Sequence, residues 1–262
     1  MTIAGFDPSG GAGILADIKA ISAMGGFGVA AITSLTFQNT LEVYGAAHQS
    51  RETVRRQIEP LLADFRIAAV KTGMLPTAGI IEEVAAIIAA QGLAPCVLDP
   101  VVRSTSGYDL IDDHALAALV EQLFPLATVM TPNVAEAERL TGIRISDVDG
   151  MQQAAAAIRA MGARAVLVKG GDLICETATD LLLDDDGMRL YTAERVRSSS
   201  THGTGCTLAA AMATLLANGS SLAGAVEQAK RYIVEAIRCA PPLGHGHGPL
   251  NHFPSGFIID QP

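Results

Sequence analysis

Short β-rich runs alternate with longer alanine-rich helical stretches, and this predicts an α/β fold with a mainly parallel, doubly wound central sheet. Two further observations agree. Hydrophobic residues make up 49% of the 262 residues and charged residues 17%, the balance of a compact globule with a sizeable core. Glycine-marked or proline-marked loops follow several expected strands, and doubly wound sheets bind ligands beyond the carboxyl ends of their strands. No linker, repeat or low-complexity tract divides the chain, so residues 1–262 are read as one domain.

The elements follow from local pattern. Thr2–Gly5 is a short strand, and Gly11–Met24 a helix stopped by Gly25 and Gly26. Gly28–Thr36 is a buried strand, Val43–His48 a short one, and Thr53–Phe65 a helix. Ala68–Lys71 is a strand, followed by a helix over Thr77–Ala90 with Gly92 beyond it. Cys96–Asp99 is a strand that Pro100 ends, and the aspartates at its start mark a helix over Asp112–Leu123. Ala127–Thr131 and Asn133–Leu140 form a strand–helix pair, then Gly150–Met161 and Ala165–Lys169 a helix–strand pair. Leu181–Leu183 and Met188–Thr192 flank Asp184–Gly187, a hairpin signal. Helices over Gly205–Ala217 and Leu222–Cys239 precede a tail rich in glycine, proline and histidine.

Several function classes are disfavoured. A net charge of −9 without a basic run argues against nucleic acid. Cys96, Cys175, Cys206 and Cys239 are too scattered for a metal knuckle or a disulfide framework. His245, His247 and His252 lie in a glycine-rich setting with no fourth fixed ligand, which argues against a metal site. Met1–Asp7 has no basic segment leading into an apolar one, and the apolar runs around Ile80–Ala90 and Leu208–Ala217 are too short or interrupted for a bilayer. The expectation is a soluble cytoplasmic protein with no membrane partner.

Thr201-His-Gly-Thr-Gly-Cys206 runs straight into a small apolar helix. The first amides of a helix have no partners within it and can hold an anion, and the helix dipole there favours a thiolate at Cys206. A buried apolar role for Cys206 is the alternative. The loop Gly5–Gly13 joins a strand to a helix, and its glycines permit close approach to a ligand. Gly11–Ala16 also fits the dinucleotide pattern G-x-G-x-x-A, but the acid expected after the next strand is missing. Asp17 on the first helix and Gln38 after an apolar strand could together read an aminopyrimidine edge, or be a solvated carboxylate and a loop cap. Asp99, Asn133 and Glu136 offer oxygens suited to Mg²⁺, although Asn-x-x-Glu is also a helix cap. Lys169-Gly170-Gly171 ends a strand and suits a nucleotide phosphate, although a lysine there also reads as a surface charge.

With these residues in view, the chain resembles the bacterial hydroxymethylpyrimidine/phosphomethylpyrimidine kinases, a branch of the ribokinase-like superfamily. The likeness runs through Ala4–Asp17, Gln38–Thr40, Lys71–Leu75, Leu98–Val101, Thr131–Glu136, Val168–Gly171, Thr201–Cys206 and Gly246–Phe253. It implies a three-layer αβα fold and ATP-dependent phosphorylation of 4-amino-5-hydroxymethyl-2-methylpyrimidine to its monophosphate and then its diphosphate, for thiamine diphosphate. By resemblance, Gln38 and Asp17 bind the pyrimidine, with Gly5, Met74 and Val101 lining its pocket. Gly203, Thr204 and Gly205 form an anion hole, and Cys206 is the base. Lys169, Gly170 and Gly171 lie by ATP, Asn133 lies near its phosphates, and Asp99 and Glu136 near Mg²⁺. A homodimer is implied too. Phe6, Leu15 and Thr105 depart from the family pattern. A pyridoxal or pyridoxine kinase, a nicotinamide-dependent oxidoreductase and a non-catalytic nucleotide sensor are the competing readings.

Overall fold

A computed structural model describes residues 1–102, 111–173, 176–257 and 259. The strands are β1 (Thr2–Phe6), β2 (Ala30–Gln38), β3 (Val43–His48), β4 (Val70–Thr72), β5 (Cys96–Leu98), β6 (Val129–Met130), β7 (Val166–Val168), β8 (Thr177–Asp184) and β9 (Gly187–Glu194). The helices are α1 (Gly13–Ala23), α2 (Arg51–Asp64), α3 (Ala78–Gln91), α4 (Asp113–Ala118), α5 (Val134–Thr141), α6 (Val148–Ala160), α7 (Thr204–Ala217) and α8 (Leu222–Arg238).

All nine strands join one sheet in the order β3-β2-β1-β4-β5-β6-β7-β8-β9. The six from β2 to β7 in that order run parallel to one another, and β3, β8 and β9 are antiparallel additions at the edges. β5, β6 and β7 are short and wholly apolar because both their faces are covered. Alternate residues serve opposite layers. Val97, Val129 and Leu167 meet α1, α7 and α8, whereas Leu98, Met130, Val166 and Val168 meet the layer containing α2, α3, α4 and α6. This is the three-layer, mainly parallel, doubly wound architecture that the sequence predicts.

Helix starts follow side-chain caps. Ser50, Thr77, Asp112, Asp147 and Ser221 each accept a hydrogen bond from the backbone N–H three residues on. Three expected boundaries move for identifiable reasons. α1 begins at Gly13 rather than Gly11, because the Asp7 carboxylate takes the Ser9 and Ala12 N–H groups and keeps that stretch a turn. The helix expected to Leu123 is regular only to Ala118. It widens to a π turn over Leu119–Leu123 and tightens over Phe124–Leu126, where Pro125 has no amide to give. The hairpin strands are longer than their apolar cores because β9 alternates half-buried and exposed residues along its whole length, so polar residues belong to it.

The strand order reverses on either side of β1 and β4, so the loops leaving those two strands part and open a crevice at the carboxyl ends of the parallel strands. Among the described residues no helix is long and apolar enough to cross a membrane. The tail returns to the core through His252, which is buried beside Thr207 Oγ1 at 3.2 Å, while the Tyr232 hydroxyl donates to its carbonyl at 2.7 Å.

Burial lowers the His252 pKa from 6.5 to about 4. A depressed folded-state pKa stabilises the fold fully above the unfolded value, and this contribution fades as pH falls through the folded one. Unfolding free energy measured in urea should therefore decline from pH 6.5 towards pH 4, and His252→Gln should make that decline shallower.

Candidate active site

The crevice encloses a cavity of about 640 Å³ running across the carboxyl ends of the parallel strands. On the β2 side Gly5, Phe6, Thr36, Gln38, Met74 and Val101 line it, an apolar pocket with one amide. A side chain at Gly5 would meet Met74 Sδ at 3.1 Å, so the glycine gives Met74 its place in the wall. On the β7–β9 side Lys169, Gly171, Asp172 and Arg195 line it, and the Arg195 guanidinium donates to the Gly171 and Leu173 carbonyls.

Between the two lies the head of α7. Gly203 has a φ of 80°, and a Cβ on it would lie 1.8 Å from the Gly11 carbonyl oxygen, so only glycine fits. This contact brings the first turn of α7 against the loop after β1. Thr204 hydrogen-bonds back to the Thr201 carbonyl through both its N–H and its hydroxyl. The Gly205 and Cys206 N–H groups meet no acceptor among the described residues and stand at the cavity wall. That is the anion-binding geometry of a helix N-terminus.

Cys206 is half-buried and lines the cavity. Burial pushes its thiol up to about 11, opposed in part by the Lys71 ammonium and the Gly13 N–H. In the free protein, burial therefore works against the thiolate that the helix dipole favours at Cys206.

The charged groups form two buried arrangements. Lys169 Nζ lies 2.9 Å from Asp99 Oδ1 and 4.0 Å from Glu136 Oε2. Burial works to lower the Lys169 pKa, but Asp99 and Glu136 outweigh it and hold the ammonium charged. Burial raises Glu136 to about 7, whereas for Asp99 the two lysines overcome burial and lower the pKa. Glu136 also completes a capping box with Asn133, with both hydrogen bonds at 2.8 Å. Asn133 and Glu136 thus cap α5 and line the cavity at once. In the second arrangement Lys71 Nζ lies 2.9 and 2.8 Å from the two Asp17 oxygens, and both side chains are wholly buried. Burial alone would lower the Lys71 pKa, and the Asp17 carboxylate beside it raises it instead.

Two expected site residues are therefore misplaced by sequence reasoning. Asp17 does not reach the cavity, because its carboxylate is consumed by Lys71 and the Thr2 hydroxyl in the interior. Gly170 lies behind the wall, where its N–H donates to Asp180 Oδ1 and a Cβ would lie 2.0 Å from the Thr179 carbonyl oxygen. The remaining expected residues (Gly5, Gln38, Met74, Asp99, Val101, Asn133, Glu136, Lys169, Gly171 and Gly203 to Cys206) share the one cavity. Thr105 lies outside the described residues. The dinucleotide reading of Gly11–Ala16 loses its basis, since a Cβ at Gly11 would lie 2.5 Å from the His202 ring and Gly203 covers the Gly11 carbonyl. Those glycines admit another loop of the protein. Among the described residues no cluster of three or more metal-ligating side chains forms, the tail histidines included.

Sequence reasoning missed Lys71, the buried Asp180–Lys230 pair at 2.7 Å and the Asp7–His202 pair at 2.8 Å. Lys71 carried a signal: a lysine inside an apolar strand needs a buried partner.

A family model described as phosphomethylpyrimidine kinase matches residues 7–251. The chain is 44% identical over 254 residues to the hydroxymethylpyrimidine/phosphomethylpyrimidine kinase of Bacillus subtilis, covering 97% of this chain and 94% of that one. It is 46% identical over 252 residues to the thiamine biosynthesis bifunctional protein ThiED of Geobacter sulfurreducens, covering 96% of this chain and 51% of that protein, about half its length. Among solved structures, a Bacillus subtilis pyridoxal kinase in complex with ADP superposes with a TM-score of 0.89 at 38% identity, covering 97% of this chain and 96% of that one. A Clostridium difficile phosphomethylpyrimidine kinase superposes with a TM-score of 0.79 at 40% identity, covering 90% and 97%. The ribokinase-like architecture expected from the sequence is thus shared with these proteins.

Two outcomes follow from the charges. Lys71→Met should cost about 3–5 kcal/mol in urea unfolding by stranding a buried carboxylate, and adding Asp17→Asn should recover most of it. Alkylation of Cys206 by iodoacetamide, followed by peptide mass spectrometry, should rise with pH to a midpoint near 11.

Proposed function

The chain belongs to the phosphomethylpyrimidine kinase family, and from that premise we propose that it is an ATP-dependent kinase of 4-amino-5-hydroxymethyl-2-methylpyrimidine. It moves the γ-phosphoryl group of ATP to the hydroxymethyl oxygen and then, in a second round, to the monophosphate, giving the diphosphate used for thiamine diphosphate. The observation that carries this reading is the position of Cys206 and the two open amides at the head of α7. They stand between an apolar pocket with one amide and a lysine–glycine strand end, inside a single cavity.

The chemistry follows from that placement. Gln38 offers both a donor and an acceptor to the aminopyrimidine edge, while Met74 and Val101 hold the ring. Cys206 takes the hydroxyl proton as the oxygen attacks phosphorus. A thiol as weakly acidic as this one gives a strong base when ionised, and the Lys71 ammonium and Gly13 N–H reduce the cost of ionising it. Phosphoryl transfer needs mostly positioning and charge neutralisation. The Gly205 and Cys206 amides and Lys169 supply both, and Gly171 lets backbone approach the nucleotide.

Asp99 and Glu136 fit Mg²⁺. Both line the cavity, Asp99 Oδ2 accepts no hydrogen bond from a described residue, and carboxylate oxygens with room for water suit this ion. Mg²⁺ bound there supplies neutralisation of the transferring phosphate's charge. Leu35, Phe37, Leu41 and Tyr44, exposed along and between β2 and β3, support a homodimer through that edge. An ATP-consuming enzyme of this kind fits the cytoplasm.

The likeness to a solved pyridoxal kinase gives a second reading, phosphorylation of pyridoxal. One assay decides between them: protein with ATP, Mg²⁺ and either hydroxymethylpyrimidine or pyridoxal, read by mass spectrometry. Pyrimidine monophosphate and diphosphate should form, and pyridoxal phosphate with no pyrimidine product would reverse the assignment. Cys206→Ala should lower kcat by ~10²-fold, the scale for loss of a positioned base.

A further inference from the structure

One stretch of the tail touches both the pyrimidine side and the transfer side of the cavity. The His247 N–H donates to the Thr40 carbonyl at 2.8 Å, and the His245 and Gly246 N–H groups donate to the Thr40 hydroxyl at 3.2 Å each. A Cβ at Gly246 would lie 2.1 Å from the Thr40 carbonyl oxygen, so the strap lies directly on the turn that follows Gln38. Immediately afterwards the Gly248 N–H donates to the Ser199 carbonyl, and the Gly248 carbonyl accepts the His202 N–H, both at 3.0 Å. His202 directly precedes Gly203, where the helix-head turn begins.

The His202 ring continues the chain of contacts. Its Nε2 lies 2.8 Å from Asp7 Oδ2, and the ring sits over Gly11. The Asp7 carboxylate in turn holds the Ser9 and Ala12 N–H groups at 2.8 and 2.9 Å, just before Gly13, which lines the same cavity as Cys206. The tail end is itself fixed, because the Asn251 N–H donates to the Ala236 carbonyl at 3.0 Å and the Tyr232 hydroxyl to the His252 carbonyl at 2.7 Å. Three loops from distant parts of the chain therefore converge on His202.

We propose that His202 is a positioning residue and that, with the 244–249 strap, it couples the pyrimidine-binding hairpin to the turn carrying Cys206. The inference rests on the reading of Gln38 and Cys206 given above. It assigns the tail a part in catalysis: the strap sets where the pyrimidine sits, His202 sets where the thiol and the open amides sit, and each holds the other. A misplacement of about 1 Å at such a site can cost ~10²-fold in rate.

The test uses His202→Leu, His202→Gln and Thr40→Val in the full chain. Each is measured for kcat and for KM of pyrimidine and of ATP, with melting temperature as a folding control. Alkylation of Cys206 by iodoacetamide is measured with no substrate present. His202→Leu should lower kcat by ~10²-fold and speed alkylation, with the KM for ATP little changed. His202→Gln keeps a side-chain N–H for Asp7 and should restore most of kcat and the slow alkylation. Thr40→Val should raise the pyrimidine KM by about tenfold, equivalent to ~1.4 kcal/mol of lost binding, without moving the KM for ATP. The proposal is overturned if His202→Leu changes melting temperature alone, if the Gln variant is as impaired as the Leu variant, or if Thr40→Val leaves the pyrimidine KM unchanged. Should the Leu variant fail to fold, the Gln and Thr40 variants decide. If the wild-type protein phosphorylates no pyrimidine, the functional reading falls, and the alkylation comparison still decides whether His202 positions Cys206.

Discussion

The contact between Gly203 and the Gly11 carbonyl is the constraint on which the site depends. Two loops from opposite ends of the chain meet there with no room for a side chain on Gly203. Because they meet, the head of α7 lies against the loop after β1, and the Gly205 and Cys206 amides open into the crevice instead of into protein. A helix N-terminus pulled a residue's width away would still carry its dipole, but it would no longer face the crevice at the carboxyl ends of the strands.

Around this head the protein places charge at two depths. Lys169, Asp99 and Glu136 stand at the cavity wall, within 4.0 Å of one another through the lysine. Lys71 and Asp17 lie deeper and are wholly buried. A buried pair of this kind contributes little net stability, since the cost of desolvating two ions offsets most of their attraction. Its two members act on Cys206 in opposite senses, the Lys71 ammonium opposing the burial that raises the thiol pKa and the Asp17 carboxylate adding to it.

Most of the fold was legible in the sequence because apolar runs in parallel strands and alanine-rich helices between them admit few other arrangements. The hidden parts are those where tertiary contact overrides local pattern. The length of β8 and β9 was hidden by polar residues that face solvent on an edge hairpin, and the π turn after α4 by a helical pattern that Pro125 interrupts. Most residues that line the cavity were legible too, since glycines, Lys169, Asp99 and Cys206 fall at strand ends or helix starts. Asp17 was misread for a physical reason. On a helix just past a glycine loop an aspartate looks solvated or ligand-facing, and only the position of β4 reveals Lys71 as its partner. Thr201–Cys206 and the tail stood out as motifs, but the contacts between them and with Asp7 and Thr40 were hidden, because several join residues about two hundred positions apart.

The central claim is that the open head of α7 receives the phosphoryl group in transit, with the Cys206 sulfur beside the attacking oxygen. A crystal structure with a non-hydrolysable ATP analogue and the hydroxymethylpyrimidine together tests it most directly. The account requires γ-phosphate oxygens about 2.7–3.2 Å from the Gly205 and Cys206 nitrogens, and the hydroxymethyl oxygen within hydrogen-bonding reach of Cys206 Sγ. Phosphates bound elsewhere in the crevice, with those two amides facing water and the pyrimidine turned away from the sulfur, would contradict it.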